Sequence, residues 1–171
     1  MHSLFEVKKI DRDFYEEKLR DFLPDKFVDI HTHICLDSFR VGKEEVRRSV
    51  LWPSMVAKDN SIEDLNETYR LMFPGKTVTP LLFGQPNFEY DVNKGNQYVT
   101  ESAQKFGYPA LMLAYPGMSA EEMERGIREG GFLGIKVYLN YAPSYIPENE
   151  IRIFDFLPHH QLEALNRNRQ I

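Results

Sequence analysis

Two histidines one residue apart are the residues of this chain best suited to chemistry. They lie in Asp29-Ile30-His31-Thr32-His33. The run that carries them, Lys26 to His33, is rich in β-branched and aromatic residues and predicts a strand. Side chains alternate across a strand, so His31 and His33 are expected on one face, roughly 6.5–7 Å apart along it. From there two imidazoles can converge on one divalent ion, with metal–nitrogen bonds of about 2.0–2.1 Å for zinc. Asp29 is expected on the same face, where its carboxylate could orient an imidazole through the nitrogen not bound to metal. Five histidines in 171 residues also allow a chance His-x-His of two core or loop histidines. The place of the pair, at the end of a strand and behind an acidic residue, favours metal.

Other groups with reactive or ligating chemistry are less well placed. Cys35 continues the alternation from His33, and cysteine is a good zinc ligand, but a lone cysteine is more often a buried apolar residue. In Ile135-Lys136-Val137-Tyr138-Leu139-Asn140 the alternation sets Lys136, Tyr138 and Asn140 on one face. His159 and His160 are neighbours on a predicted helix, where adjacent side chains diverge, so they make no natural clamp. Arg40, Lys43, Arg47 and Arg48 could bind a carboxylate or phosphate, although a solvated charged face explains them as well. The sequence holds no Gly-x-x-x-x-Gly-Lys loop, no Gly-x-Ser-x-Gly elbow and no Cys-x-x-Cys pair.

The elements that must position these residues follow from periodicity and punctuation. Phe14, Tyr15, Leu19 and Phe22 recur at three- and four-residue spacing and predict a helix from Asp11 to Phe22, stopped before Pro24. A long insert runs from Cys35 to about Ser61, and connections of that length usually have a role. Ser61 caps a helix that runs to Phe73 and ends at Pro74-Gly75. Val78 to Phe83 predicts a second strand, Asn93 to Phe106 a helix, and Ala110 to Ala114 a third strand. Ser119-Ala120-Glu121-Glu122 forms a capping box for a helix that ends at Gly130-Gly131. Phe132 to Leu139 predicts a fourth strand. Pro158 to Asn168 predicts a last helix with proline in its first turn.

Short apolar runs alternating with helices predict an α/β fold with parallel strands covered by helices. No linker divides the chain, so residues 1–171 are expected as one domain: a helical extension over 1–25 and four β/α units over 26–171. The loops after strands two, three and four are rich in proline and glycine. They lie at the carboxyl ends of the strands, where α/β proteins usually place their sites.

Composition narrows the partners. Hydrophobic residues make up 42% and charged residues 27%, which is ordinary globular usage. The formal net charge of -5 argues against nucleic acid or anionic membrane as the main partner, because both attract basic surfaces. No apolar run approaches the roughly 20 residues needed to span a bilayer. The first twenty residues lack the apolar stretch of a signal peptide, and the single cysteine excludes an intramolecular disulfide framework. A cytoplasmic protein acting on a small molecule is the expectation.

Val28-Asp29-Ile30-His31-Thr32-His33 resembles the Asp-x-His-x-His signature of the amidohydrolase superfamily, in particular the amidohydrolase-related branch of decarboxylases and small-molecule hydrolases. Gly131 to Tyr138 is similar to that family's fourth strand. Phe156-Leu157-Pro158, with Gln161 to Leu165, is similar to its fourth helix. The resemblance runs from about Phe27 onward. It implies the first half of a TIM-type (β/α)₈ barrel, with about four parallel strands. It also implies a divalent metal, zinc by ligand type, held by His31 and His33, and a metal-activated water attacking an amide, ester or related bond. In several members a lysine at the position of Lys136 is carbamylated and bridges two metals. The family's further ligands, on strands five, six and eight, have no counterpart in this sequence. The resemblance therefore implies an incomplete chain, inactive alone, completed by a missing C-terminal half or by a homo-oligomer that covers the open strand edges. A non-catalytic half-barrel, or a small α/β binding domain with incidental histidines, would carry the same residues.

Overall fold

The computed structural model describes residues 4–42, 58–86 and 89–171. Strand β1 spans Lys26–His33 and β2 spans Thr77–Phe83, and the two pair in parallel. Between them runs helix α2 (Ile62–Met72), with α1 (Lys9–Phe14) preceding β1. Helix α3 (Val92–Phe106) leads to β3 (Met112–Leu113), and α4 (Ala120–Gly130) leads to β4 (Ile135–Lys136), which is parallel to β3. Two helices, α5 (Ile153–Phe156) and α6 (His159–Asn168), close the chain.

Local chemistry sets the helix ends where the sequence places them. Ser61 accepts from the Asp64 amide, and the Asp64 carboxylate reaches back to the Ser61 amide. Ser119 and Glu122 do the same for α4. Asp91 caps α3 by accepting from the amides of Asn93 and Lys94. Gly107 and Gly131 end α3 and α4 in the left-handed region, at φ of 70° and 69°, which glycine enters without steric cost. Pro158 is the N-cap of α6 rather than a first-turn residue.

The N-terminal helix departs from its predicted apolar stripe. After Phe14 the chain widens into a π-helical turn over Tyr15–Leu19, and the Arg20 amide donates to the Tyr15 carbonyl. The wider turn puts residues three and four apart out of phase. Tyr15 alone is buried, donating its hydroxyl to the Pro74 carbonyl at 2.8 Å, while Phe14 and Phe22 are exposed.

The strands do not form the four-stranded half-barrel expected from the sequence. Among the described residues they make two two-stranded parallel sheets, β1-β2 and β3-β4, linked by one parallel bridge, Leu82↔Ala110. Two residues limit that link. Leu82 donates to the Pro109 carbonyl and accepts from Leu111, so backbone groups of every second residue of β2 face β3. Pro80 falls on that same side and has no N–H to give. Beyond the bridge, the buried Asn96 side chain on α3 takes both backbone groups of Leu113: its Oδ1 accepts from Leu113 N at 2.9 Å and its Nδ2 donates to Leu113 O at 3.0 Å. Leu113 is thereby satisfied by an amide side chain in place of a neighbouring strand. Strands β3 and β4 are each two residues long, against the predicted spans of Ala110–Ala114 and Phe132–Leu139.

Among the described residues, the larger of two apolar clusters lies between the strands and the helices, built around Ile34, Leu82, Val99, Met123 and Ile127, all at most 1% exposed. At the outer edge of β4, Ile171 donates to Leu133 O and accepts from Ile135 N. A side chain at Gly134 would meet the Ile171 carbonyl oxygen at 1.5 Å, so only glycine admits this approach. Among the described residues, no helix is long and apolar enough to cross a membrane.

Candidate functional site

The site is set by a bulge in β1. Asp29 pairs with Pro80 and Thr32 with Leu82, so β1 carries one residue more than β2 over this stretch. The extra residue reverses the alternation. Before it, Phe27 packs edge-on against Phe73 at 5.4 Å, and Asp29 accepts the Tyr69 hydroxyl at 2.9 Å, both on the side of α2. After it, Thr32 takes the helix side, 3.3 Å from the Tyr69 hydroxyl. His31 and His33 are left on the opposite face. They share a face, as the sequence predicts. Asp29 does not share it: its carboxylate accepts from Tyr69 and from the His31 backbone amide at 3.1 Å, and so orients the bulge rather than an imidazole.

The two rings meet at a third side chain. Tyr138, just past β4, sets its hydroxyl 3.1 Å from His31 Nε2 and 3.0 Å from His33 Nε2. His33 Nδ1 lies 2.9 Å from the Gly84 carbonyl oxygen. A carbonyl only accepts, so Nδ1 carries the proton, and neutral His33 presents a lone pair at Nε2. Tyr138 has one hydroxyl proton. It donates to His33 Nε2 and accepts from His31 Nε2–H. A directed chain results, from His31 through Tyr138 and His33 to the Gly84 carbonyl.

Packing fixes these rings. Phe83, fully buried at the end of β2, meets His33 at 4.6 Å and His31 at 5.3 Å, both edge-on. The Asn60 side chain donates to the His33 carbonyl at 2.6 Å. Lys136 brings its ammonium 4.8 Å from the Phe83 ring and 5.2 Å from the Tyr138 ring, positions where a cation is attracted by the ring face. Burial is the main cause that lowers His33 from its ordinary value to about 4, aided by the charges of His31 and Lys136 and opposed by the bond to Gly84. His33 is therefore neutral at pH 7, the state a metal requires. Burial also raises the Tyr138 phenol above its ordinary value, so it stays protonated.

No family model, curated protein or solved structure matches this chain.

The donor set fits a divalent ion in part. Two imidazole nitrogens face one point, and one has its tautomer fixed by a carbonyl, the arrangement that orients metal-binding histidines elsewhere. Among the described residues, no group of three His, Cys, Asp or Glu gathers around them, and catalytic zinc sites usually take three protein ligands. Cys35 is buried, with its sulfur 3.9 Å from the Lys58 carbonyl. Burial raises its thiol, which disfavours the thiolate that a metal needs. His159 stacks on Phe154 at 4.0 Å and His160 bonds the Met118 carbonyl, so the two diverge. Arg40 is committed to Asp37, Glu89 and Tyr90. Lys43, Arg47 and Arg48 lie outside the described residues. A groove of about 550 Å³ lies elsewhere, along α3 and α4, with Asn96, Tyr115, Arg125 and Phe132 in its walls. The histidine pair, whose two Nε2 atoms meet one hydroxyl, is the better candidate.

Sequence reasoning placed Tyr138 on the face of Lys136 but gave it no role. The alternation after Ile135 was the available signal. That its hydroxyl would reach two histidines on β1 depends on how the two sheets meet, which no local pattern encodes.

Proposed function

We propose that this protein is a metal-dependent hydrolase of the amidohydrolase type, acting on an amide, ester or related C–N or C–O bond of a small molecule. His31 and His33 serve as two nitrogen ligands of a divalent ion, with zinc the best match to imidazole donors. The observation that carries this reading is the convergence of both Nε2 atoms on one point 3.0–3.1 Å away, with His33 Nδ1 held by Gly84. When bound, such an ion lowers the pKa of a water and polarises the scissile group. This chain's part is to hold the pair: Asp29 and Tyr69 fix the bulge, Gly84 fixes a tautomer, and Phe83 fixes both ring planes. The general base is a group outside this set.

The test is metal analysis and hydrolysis of activated esters and amides by zinc-loaded protein. We expect stoichiometric zinc in the wild type and loss of both metal and activity in the His31→Ala, His33→Ala double variant. Unchanged zinc content in that variant refutes the reading.

A second reading has one observation in its favour. Val28 and Ile30 on β1 are 57% and 72% exposed, which suits a non-catalytic α/β binding module that self-associates through this face. A dimer that forms without metal and lacks hydrolytic activity favours it.

A further inference from the structure

We propose that Tyr138 is itself a metal ligand, so that His31, His33 and Tyr138 form a two-imidazole, one-phenolate site. The inference rests on the reading of the histidine pair as a metal site and names the donor which that reading lacks. Its basis is the distance set. Two donors bound to one ion through bonds of about 2.0–2.1 Å stand about 2.9 Å apart at a right angle and about 3.3 Å apart at the tetrahedral angle. The Tyr138 oxygen stands 3.1 Å and 3.0 Å from the two Nε2 atoms, between those limits.

The chain places this oxygen for the purpose. Tyr138 is extended, at φ -141° and ψ 146°, which keeps its side chain on the face of Lys136 two residues earlier. On binding, the metal–oxygen bond forms, the phenolic O–H bond breaks, and the proton passes to solvent. His31 must also turn its Nε2 lone pair to the ion, moving its proton to Nδ1, which is free to face water because His31 is exposed. A phenolate with two imidazoles is a mixed oxygen–nitrogen donor set that suits Zn²⁺ and binds Cu²⁺ more tightly still.

The experiment uses Zn²⁺ and Cu²⁺ salts alone as probes of the wild type, Tyr138→Phe, Tyr138→His, and the His31→Ala, His33→Ala double variant, each checked for folding by circular dichroism. We expect the wild-type copper complex to show a visible phenolate-to-copper charge-transfer band that Tyr138→Phe lacks. We expect Tyr138→Phe to bind Zn²⁺ at least about tenfold more weakly, and Tyr138→His, which keeps a donor, to recover affinity without the band. Equal zinc affinity in the wild type and Tyr138→Phe, with no band in the wild type and binding lost only in the double variant, overturns the role of Tyr138 and leaves the histidine pair standing. Wild-type affinity in the double variant overturns both.

Discussion

Asp29 and His31 stand two residues apart on β1 yet face opposite sides of it. The Asp29 carboxylate turns to Tyr69 on α2 and accepts the His31 amide, while the His31 ring turns to Tyr138 on the other side. The bulge between them changes the parity of the strand and delivers both histidines to the site. Asp29→Ala should therefore cost about 1–2 kcal/mol in denaturant unfolding, through the lost acceptor for Tyr69 and the His31 amide. The two bonds fall on different carboxylate oxygens, so Asp29→Asn keeps one acceptor and should recover only part of that loss. Equal loss in both variants would mean that the retained oxygen contributes nothing to stability.

The hydroxyl of Tyr138 ties β1 to the segment after β4 through two bonds. Removing it in Tyr138→Phe leaves the half-buried His33 Nε2 without its donor. In metal-free protein we expect a loss of about 1 kcal/mol. In His33→Ala the same tyrosine change should cost less, because the two side chains are coupled. Additive effects in that double-mutant cycle would show that the contact contributes nothing to stability.

Protonation of His33 opposes folding. Its value is lowered in the folded chain to about 4 from 6.5, so between those two pH values the unfolded chain binds more protons. Stability is then fully present above pH 6.5 and is lost as pH falls toward 4. The loss attributable to His33 should be on the order of 3 kcal/mol. It is read as the change with pH in the stability difference between wild type and His33→Gln. A difference that stays constant from pH 7 to pH 4 contradicts the depressed value.

Asn96 is a structural substitute for a strand. Asn96→Ala leaves the buried N–H and C=O of Leu113 unpaired and should cost about 2–3 kcal/mol. Amide hydrogen exchange at Leu113 should accelerate in step with that loss. Retained protection at Leu113 would mean that another group takes over its bonds.

Much of the fold was legible because helix ends are decided by neighbours in sequence. Ser61, Ser119, Gly107 and Gly131 mark α2, α3 and α4 to within a residue or two, since a cap is a contact between residues close along the chain. Strand β1 was legible from its residue types, and the shared face of His31 and His33 from their spacing. The sheet was not. Its interruption depends on Pro80 and on an asparagine seventeen residues before Leu113, and both act through tertiary neighbours. The face of Asp29 was misread because the bulge lies at Ile30-His31, with no glycine to announce it. The stripe on the first helix was misread because a π-turn shifts its phase. Tyr138 belongs to the site through the meeting of two sheets, which periodicity does not describe.

The most direct test of the histidine pair is nitrogen NMR of the imidazoles during titration of the natively purified protein with Zn²⁺. The Nε2 resonances of His31 and His33 should both move to metal-bound positions and saturate together at one equivalent, while His33 Nδ1 stays protonated on the Gly84 carbonyl. Unmoved Nε2 resonances at saturating zinc, or movement confined to His159 and His160, would contradict the assignment of His31 and His33 as the metal ligands.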